Sequence, residues 1–231
     1  MRIDKAGKES GPLVKRISGI RIAVYIGGMV SVSLGIVLCA QCGLGISPIS
    51  SIAFVSKEIL SFSFGQLTML FHLMNILLQM LLLQTVTDKK LLLQIPVAFI
   101  FGWLIDLIKT MIIIDQNQLL LQLLALACSI FFTALGMVMM VKMDLVQNPP
   151  DGFVKCLAAV AEKKFGHVKI IYDIVCVLIS IAMGMLFLHR PYGMGIATIT
   201  SALFVGKTVI WIQKTVEKRV TARINIEKLK S

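Results

Sequence analysis

The sequence predicts an all-α polytopic membrane protein. Its six transmembrane helices are expected to form two inverted three-helix repeats, each with a short non-spanning helix after its first span. The 231 residues are 57% hydrophobic and 15% charged, whereas soluble domains are about 45–50% apolar and about 25% charged. Six apolar stretches approach the length of about 20 helical residues that a bilayer core requires. The two halves of the chain also resemble each other at a fixed spacing.

The internal repeat is clearest where each half interrupts its apolar pattern with glycine and proline. Residues 43–51 read GLGISPISS, and residues 144–152, which lie 101 positions later, read DLVQNPPDG. The same offset matches Leu34 with Leu135, Gly35 with Gly136, Val37 with Val138, Leu44 with Leu145, Pro48 with Pro149, Phe64-Gly65 with Phe165-Gly166 and Leu77 with Leu178. Coincident prolines and glycines are harder to attribute to chance than coincident leucines. The sequence therefore divides into a first repeat, residues 21–115, and a second, residues 116–213.

The first repeat follows a basic N-terminal segment, residues 1–20, which is expected to be cytoplasmic. Its predicted spans are residues 21–41, 65–86 and 91–113. Residues 49–61 form a short segment of mixed polarity, which cannot cross a bilayer at about 1.5 Å per helical residue. Asp88-Lys89-Lys90 is predicted to form a tight turn between the second and third spans.

The second repeat has the same order of elements. Its predicted spans are residues 119–141, 166–188 and 192–213, and its short segment is residues 151–164. A turn is predicted at His189-Arg190-Pro191. Residues 214–231 alternate basic and apolar side chains, which predicts a cytoplasmic tail helix that lies on the inner membrane surface or projects from it.

The distribution of charge predicts the orientation of the chain. Thirteen of the 23 Lys and Arg residues lie before residue 22 or after residue 206, where they flank apolar runs. The segments predicted to face outward hold only Lys57, Lys109 and Arg190. This bias predicts two cytoplasmic termini and contacts with anionic lipid head groups, and it argues against nucleic-acid binding despite the net charge of +11. With three spans per half, the second half enters from the opposite face, whereas four spans would make the repeats parallel.

The two short segments carry the signals of helix starts. Ser47 and Asn148 are each followed by proline, which is the combination expected at an N-cap and first turn. Such a start presents unpaired N–H groups and a positive dipole end, which favour an anionic or carbonyl oxygen group. Paired interrupted segments in inverted repeats are typical of secondary transporters, whose substrates bind near the midplane. The same residues also fit interfacial connector helices with ordinary caps, and the sequence leaves both readings open.

A few polar residues lie inside the predicted spans. His72 in the second span and Asp173 in the fifth are aligned by the 101-residue offset. Ionisable groups in a membrane are costly, so a His–Asp pair across the pseudo-twofold is a candidate site for a cation, a proton or a polar substrate. The alternative is a structural interhelical hydrogen bond, worth about 0.6 kcal/mol. The predicted substrate-binding residues are Ser47, Ser50, Ser51, His72, Asn75, Asn148, Asp151 and Asp173.

Other conspicuous residues have structural explanations. Asp106 is expected to pair with Lys109 on one helix face. The C-x-x-C at Cys39 and Cys42 aligns with two methionines of the second half, which favours apolar slots over redox or metal chemistry. No catalytic, phosphate-binding or metal-binding motif occurs, so neither an enzyme nor a metal nor another cofactor is predicted. Close helix approach is expected at Gly35, Gly102, Gly136 and Gly206.

These motifs resemble a known family. The run Gly45 to Ser51, followed by Phe64-Gly65, Leu93-Gln94-Ile95-Pro96-Val97 and Phe101-Gly102, is similar to the YczE/YyaS/YitT group of bacterial integral membrane proteins. Pro149 to Val154, followed by Phe165 to Asp173, resembles the second-half signature of the YczE branch. That branch commonly has Pro-Gly-Glu-Gly where this chain has Pro149-Pro150-Asp151-Gly152, and the extra proline stiffens the turn. The resemblance covers about residues 20–210. It implies a multi-pass bacterial plasma-membrane protein and little about activity.

The leading hypothesis is a transporter-like protein for a small polar or anionic solute, with its site at the interface of the repeats. The alternative is a non-transporting membrane scaffold or accessory protein that docks a cytoplasmic partner through the basic tail. Intramembrane catalysis is a weaker third hypothesis. The expected partners are the lipid bilayer and a small polar solute, and a homo-oligomer stays open.

Overall fold

The computed structural model describes residues 18–85 and 89–230, with side chains described over residues 19–85 and 90–217. Most of the predicted basic N-terminal segment and Asp88 of the predicted turn lie outside these ranges. Every regular element within them is helical, and no strand occurs there. The elements are α1 (Ser18–Gln41), α2 (Pro48–Ile59), α3 (Phe64–Leu83), α4 (Lys89–Leu92), α5 (Gln94–Met111), α6 (Leu119–Met143), α7 (Pro149–Val160), α8 (Phe165–Leu188) and α9 (Ile196–Lys230).

Six candidate spans are long and apolar enough to cross a membrane within the described ranges. They are Gly19–Gln41, Phe64–Leu83, Lys90–Met111, Leu119–Met143, Phe165–Leu188 and Ile196–Glu217. Their outward surfaces are apolar, as lipid contact requires: Leu81 is 74% exposed and Leu120 is 71% exposed. The chain is therefore a multi-pass membrane protein with six spans, as the sequence predicts.

The span boundaries differ from the prediction at two turns. α3 ends at Leu83, three residues earlier than predicted, because Gln84 adopts a left-handed conformation and closes the helix. The sixth span begins at Ile196 and not at residue 192, because Gly193 has a φ of +73° and holds the chain in a turn. α9 then continues without a break to Lys230, so the predicted tail extends the last span as one helix.

Both short helices begin where the sequence predicts. α2 starts at Pro48 after the extended residue Ser47, and α7 starts at Pro149 after the extended residue Asn148. Proline suits this position because its fixed φ matches a helix start and its missing N–H would be unpaired there anyway. Each helix has 12 residues, which is about 18 Å and too short to span a bilayer.

The first helices of the two halves, α1 and α6, pack closely and run antiparallel. A Cβ at Gly28 would lie 3.0 Å from the Gly136 carbonyl oxygen, and a Cβ at Gly35 would lie 2.7 Å from the Ser129 carbonyl oxygen. Only glycine allows the two backbones to approach this closely. At the ends, the Arg21 guanidinium donates a hydrogen bond of 2.5 Å to the Met143 carbonyl oxygen.

Close approach is confirmed at three of the four predicted glycines. Gly35 and Gly136 lie at the α1–α6 contact, and Gly102 lies against Gly65 between α3 and α5. The prediction is wrong at Gly206, where an added Cβ would meet nothing within 4 Å. This glycine instead lines a cavity, because α9 packs on α6 through other residues.

The remaining helices surround the α1–α6 pair. α5 packs on α1 and α3, and α9 packs on α6. Each short helix packs mainly on a helix of the opposite half: α2 lies against α8, and α7 lies against α3. This exchange brings the first turns of α2 and α7 to the interior of the molecule.

The α1–α6 contact gives a stability prediction. Gly136→Ala places a methyl group against the Gly28 carbonyl and Val32, and such overpacking costs about 1–3 kcal/mol. The matched control Gly166→Ala, in the first turn of α8, meets nothing within 4 Å and is expected to be neutral or stabilising by up to about 1 kcal/mol. Both changes in stability are measured from the unfolding midpoints of the purified variants in detergent. Equal midpoints for the two variants would contradict the close contact.

Candidate functional site

A cavity of about 560 Å³, here called the central cavity, lies between the two short helices. Its volume is within the range of about 300–1,000 Å³ that is common for small-molecule sites. Exposed Lys90 and Lys155 line its mouth. They lie at the end of the molecule where α1 begins and α6 ends, which we call the terminal face. The cavity therefore opens toward the terminal face and reaches inward to the first turn of α2.

The first turn of α2 lies at mid-depth among the spans. The Ser51 hydroxyl donates to the Cys176 carbonyl oxygen at 3.3 Å, and the Ser180 hydroxyl donates to the Ser51 carbonyl oxygen at 3.0 Å. Cys176 is at the centre of α8, and Ser180 is about two turns before the end of that helix. An interfacial connector would lie level with the end of α8. This depth favours a re-entrant α2 over an interfacial connector, the two readings that the sequence leaves open.

The first turn of α7 also lies inside the span ends. The Gln79 side-chain amide donates to the Pro149 carbonyl oxygen at 3.0 Å and forms two hydrogen bonds with the Gln94 side chain. Gln79 is about one turn before the end of α3, so α7 enters less deeply than α2. Gln79 is not among the predicted site residues, although the 101-residue offset matches it to Ser180, whose hydroxyl holds α2 by a similar bond to a backbone carbonyl oxygen.

The structure brings most of the predicted site residues together. Six of the eight line the central cavity: Ser47, Ser50, His72, Asn148, Asp151 and Asp173. Ser51 and Asn75 are buried behind its wall. The Asn75 side chain donates to the Phe71 carbonyl oxygen at 2.8 Å and accepts from the Tyr172 hydroxyl at 2.7 Å. Ser51 and Asn75 therefore hold helices together and do not face the cavity.

The expected pairing of His72 with Asp173 is wrong. The Asp173 carboxylate accepts from the Lys169 ammonium at 2.5 Å, because Lys169 lies one turn earlier on the same helix face. His72 is 3% exposed and its ring lies edge-on to Phe101, with 5.5 Å between the ring centroids. Both side chains line the central cavity, but they contact different residues and not each other.

Three buried polar atoms at the central cavity have no hydrogen-bond partner in the part of the chain that the structure describes. They are Nδ1 of His72, Oδ1 of Asn148 and Oδ1 of Asp151. A buried polar atom left without a partner costs about 1–3 kcal/mol, and such atoms are rare in folded proteins. All three belong to residues that line the central cavity, which makes this wall the candidate binding surface.

Asp106 has a different partner from the one expected. Its carboxylate accepts hydrogen bonds from the Ser63 hydroxyl and, at 2.8 Å, from the Gly65 N–H. It therefore stabilises the positive N-terminal end of α3. No salt bridge joins it to Lys109 among the described side chains. Asp106 does not pair with Lys109, because the close α3–α5 contact places the start of α3 beside the Asp106 carboxylate.

The face opposite the terminal face is closed over α2. The Ile46 N–H donates to the Gly193 carbonyl oxygen at 3.0 Å, and the Ala197 N–H donates to the Leu44 carbonyl oxygen at 2.9 Å. The ring of Phe54 stacks on Tyr192 with 5.6 Å between centroids. These contacts separate the central cavity from this face.

The ends of α1 and α2 at this closed face carry no metal site in the described residues, where no cluster of three His, Cys, Asp or Glu side chains occurs. Cys39 and Cys42 are buried free thiols that pack among apolar side chains. At the end of α2, the Lys57 ammonium lies 3.0 Å from the Glu58 carboxylate and lowers the pKa of that group. The closed face therefore offers ordinary packing and surface ion pairing.

Comparison with known proteins gives a family. The family model described as "Family of unknown function (DUF6198)" matches residues 19–214, which include both halves of the chain. The chain belongs to this family. No curated protein and no solved structure is significantly similar to it. Membership in DUF6198 brings no activity with it, and the narrower resemblance to the YczE branch stays a prediction.

The hydrogen bond between Tyr172 and Asn75 gives a second stability prediction. Tyr172→Phe removes the donor and leaves the buried Asn75 oxygen without its partner. Interhelical hydrogen bonds in membranes contribute about 0.6 kcal/mol and at most about 1.7 kcal/mol. We expect a loss in this range from the free energy of unfolding, measured by denaturant titration in mixed micelles. The control His167→Phe lies on the exposed first turn of α8 and should change nothing. An equal effect of both variants would contradict the structural role of this bond.

Proposed function

We propose that the protein is a transporter for a small polar or anionic solute, which binds in the central cavity between the first turns of α2 and α7. The observation that carries this proposal is a cavity that both short helices reach. Three of its lining residues have a buried polar atom without a partner among the described residues. Discontinuous helices that meet near the midplane are the usual binding sites of secondary transporters.

Contacts that exchange between the two halves, as an inverted repeat would require, support the same proposal. Ser31 donates to the carbonyl oxygen of Phe132, and these two residues are separated by the repeat offset of 101. The same offset converts the contact of Gly28 with Gly136 into a contact of Ser129 with Gly35, and that contact is also present. Contacts that exchange in this way are a property of two copies related by a twofold axis. Since α1 and α6 run antiparallel, this axis would lie in the membrane plane.

The orientation of the cavity fits uptake into, or release from, the cell interior. The positive-inside bias of the sequence would place the terminal face in the cytoplasm, and both termini with it. Lys90, Lys155 and Lys169 line the cavity near that face, where anionic lipid head groups would also be close. In a bacterial plasma membrane the described conformation would then be open to the cytoplasm, with α2 closing the path outward. The resemblance to the YczE branch is in keeping with this location.

A flux experiment tests the proposal. Proteoliposomes are loaded with a mixture of small polar metabolites, and the solutes released are identified by mass spectrometry against protein-free liposomes. We expect selective release of at least one solute. His72→Ala and Asp173→Asn should lower its rate about tenfold or more, because each removes a polar group of the cavity wall. Glu58→Gln, at the closed face, is the control and should retain the wild-type rate.

Two outcomes would contradict the proposal. Release no faster than from protein-free liposomes would exclude transport of the tested solutes and favour the scaffold hypothesis. In that case, removing residues 218–231 should abolish capture of a cytoplasmic partner. Wild-type rates in both cavity variants would mean that the solute follows another path.

A further inference from the structure

The two short helices start in equivalent ways but present opposite chemistry to the central cavity. The 101-residue offset matches Ile49 with Pro150 and Ser50 with Asp151. The N–H group of Ile49 therefore has no equivalent at Pro150, and the hydroxyl of Ser50 is replaced by the carboxylate of Asp151. The first turns of α2 and α7 therefore have equivalent positions in the two halves but different polar groups.

The first turn of α2 is a positive end whose N–H groups are partly paired, since the Ser50 N–H donates to the Ser47 carbonyl oxygen at 3.1 Å. It contains no acidic residue, and the Ser47 side chain makes no capping bond to the backbone. The hydroxyls of Ser47 and Ser50 lie 3.1 Å apart, so one of the two protons is left for another acceptor. A helix N-terminus carries roughly half a positive charge. This end fits a carboxylate or another anionic group.

The first turn of α7 is a negative end with free acceptors. Pro149 and Pro150 have no N–H groups, and the Gly152 N–H is taken by the Asn148 carbonyl oxygen at 2.8 Å. The Asp151 carboxylate lies over this turn and accepts from the Asn148 side chain at 3.4 Å. Oδ1 of Asp151 and Oδ1 of Asn148 are buried without a partner. This end fits a cationic donor, which contrasts with the anion expected at both helix starts from the sequence.

Lys169 and Lys155 do not cancel this difference. Lys169 is paired with Asp173 at 2.5 Å, so this pair adds no net charge to the cavity. Lys155 is exposed at the mouth and leaves Asp151 Oδ1 without a partner. His72 is 3% exposed, and its partnerless Nδ1 marks the cavity wall as a binding surface independently of the two helix starts.

We infer that the solute is a zwitterion, whose anionic group binds at the first turn of α2 and whose ammonium group binds Asp151 and Asn148. This inference rests on the proposed function and names the chemical class of its substrate. A small amino acid or a related ammonium carboxylate has both groups, and its size fits a cavity of about 560 Å³. A sugar lacks both charges, and a simple anion leaves Asp151 unpaired.

Ligand-induced stabilisation of the purified full-length protein tests the inference. The probes are the twenty standard amino acids, β-alanine, γ-aminobutyrate and glycine betaine. The best of these is then compared with the amine that lacks its carboxylate and the acid that lacks its ammonium, each with and without sodium. We expect the zwitterion to bind about tenfold or more tightly than either relative, because each charged hydrogen bond is lost with its group.

Variants assign the two ends. Asp151→Asn should weaken the zwitterion about tenfold or more without weakening the acid. Ser50→Ala should weaken the zwitterion and the acid alike, by about threefold, because a neutral hydroxyl contributes less. Glu162→Gln is the matched control, since this exposed carboxylate lies beyond the other end of α7, and its effect should stay within about twofold.

Three results of the stabilisation measurements would overturn the inference. The first is that none of the zwitterions stabilises the protein. The second is that the acid alone binds as tightly as the zwitterion when sodium is present, which would indicate an anion with a metal cation at Asp151. The third is that Asp151→Asn and Glu162→Gln have equal effects. Proteoliposomes that move a neutral or purely anionic solute would also reject the zwitterion while leaving the transporter intact. Proteoliposomes that move nothing would reject both.

Discussion

The structure depends on hydrogen bonding the backbone where helices are interrupted inside the membrane. Lipid offers no partner for a free N–H or C=O, so each interruption needs donors and acceptors from protein. Side chains supply many of them. Tyr25 donates to the Val146 carbonyl oxygen, Gln79 to that of Pro149, Ser180 to that of Ser51 and Gln41 to that of Ile112. The bonds at Val146, Pro149 and Ser51 hold the starts of the two short helices between the spans.

The same requirement makes the two halves depend on each other. α2 is held by Ser180 of the second half, and α7 is held by Gln79 of the first. Arg21 and Tyr25 of α1 bond the end of α6 and the segment after it. Each short helix is thus held in part by the opposite half. A cavity therefore forms where the halves meet, and its polar wall is a consequence of how the backbone is stabilised.

The sequence predicts the spans and the starts of the short helices well, because hydropathy, proline and N-cap residues are local signals. Repeat matching also selects six residues that line one cavity. The partners of charged residues are less predictable. Asp106 accepts from Ser63, 43 residues away, and no local pattern reveals that contact. Asp173 pairs with Lys169 at a spacing that is readable in the sequence, but the repeat draws attention to His72. Gly206 lacks the close contact that Gly102 makes, because α8 and α9 barely touch, whereas α3 and α5 pack along each other.

The most direct test of this account is the depth of α2. In a variant without native cysteines, Ser51→Cys is combined with Ser180→Cys or with His189→Cys, which lies at the end of α8 about 13 Å further along the helix. The shortest bifunctional methanethiosulfonate reagent is added, and linked peptides are identified by mass spectrometry. A re-entrant α2 predicts a cross-link to position 180 and none to position 189. A cross-link to position 189 alone would place α2 at the membrane surface and contradict the account.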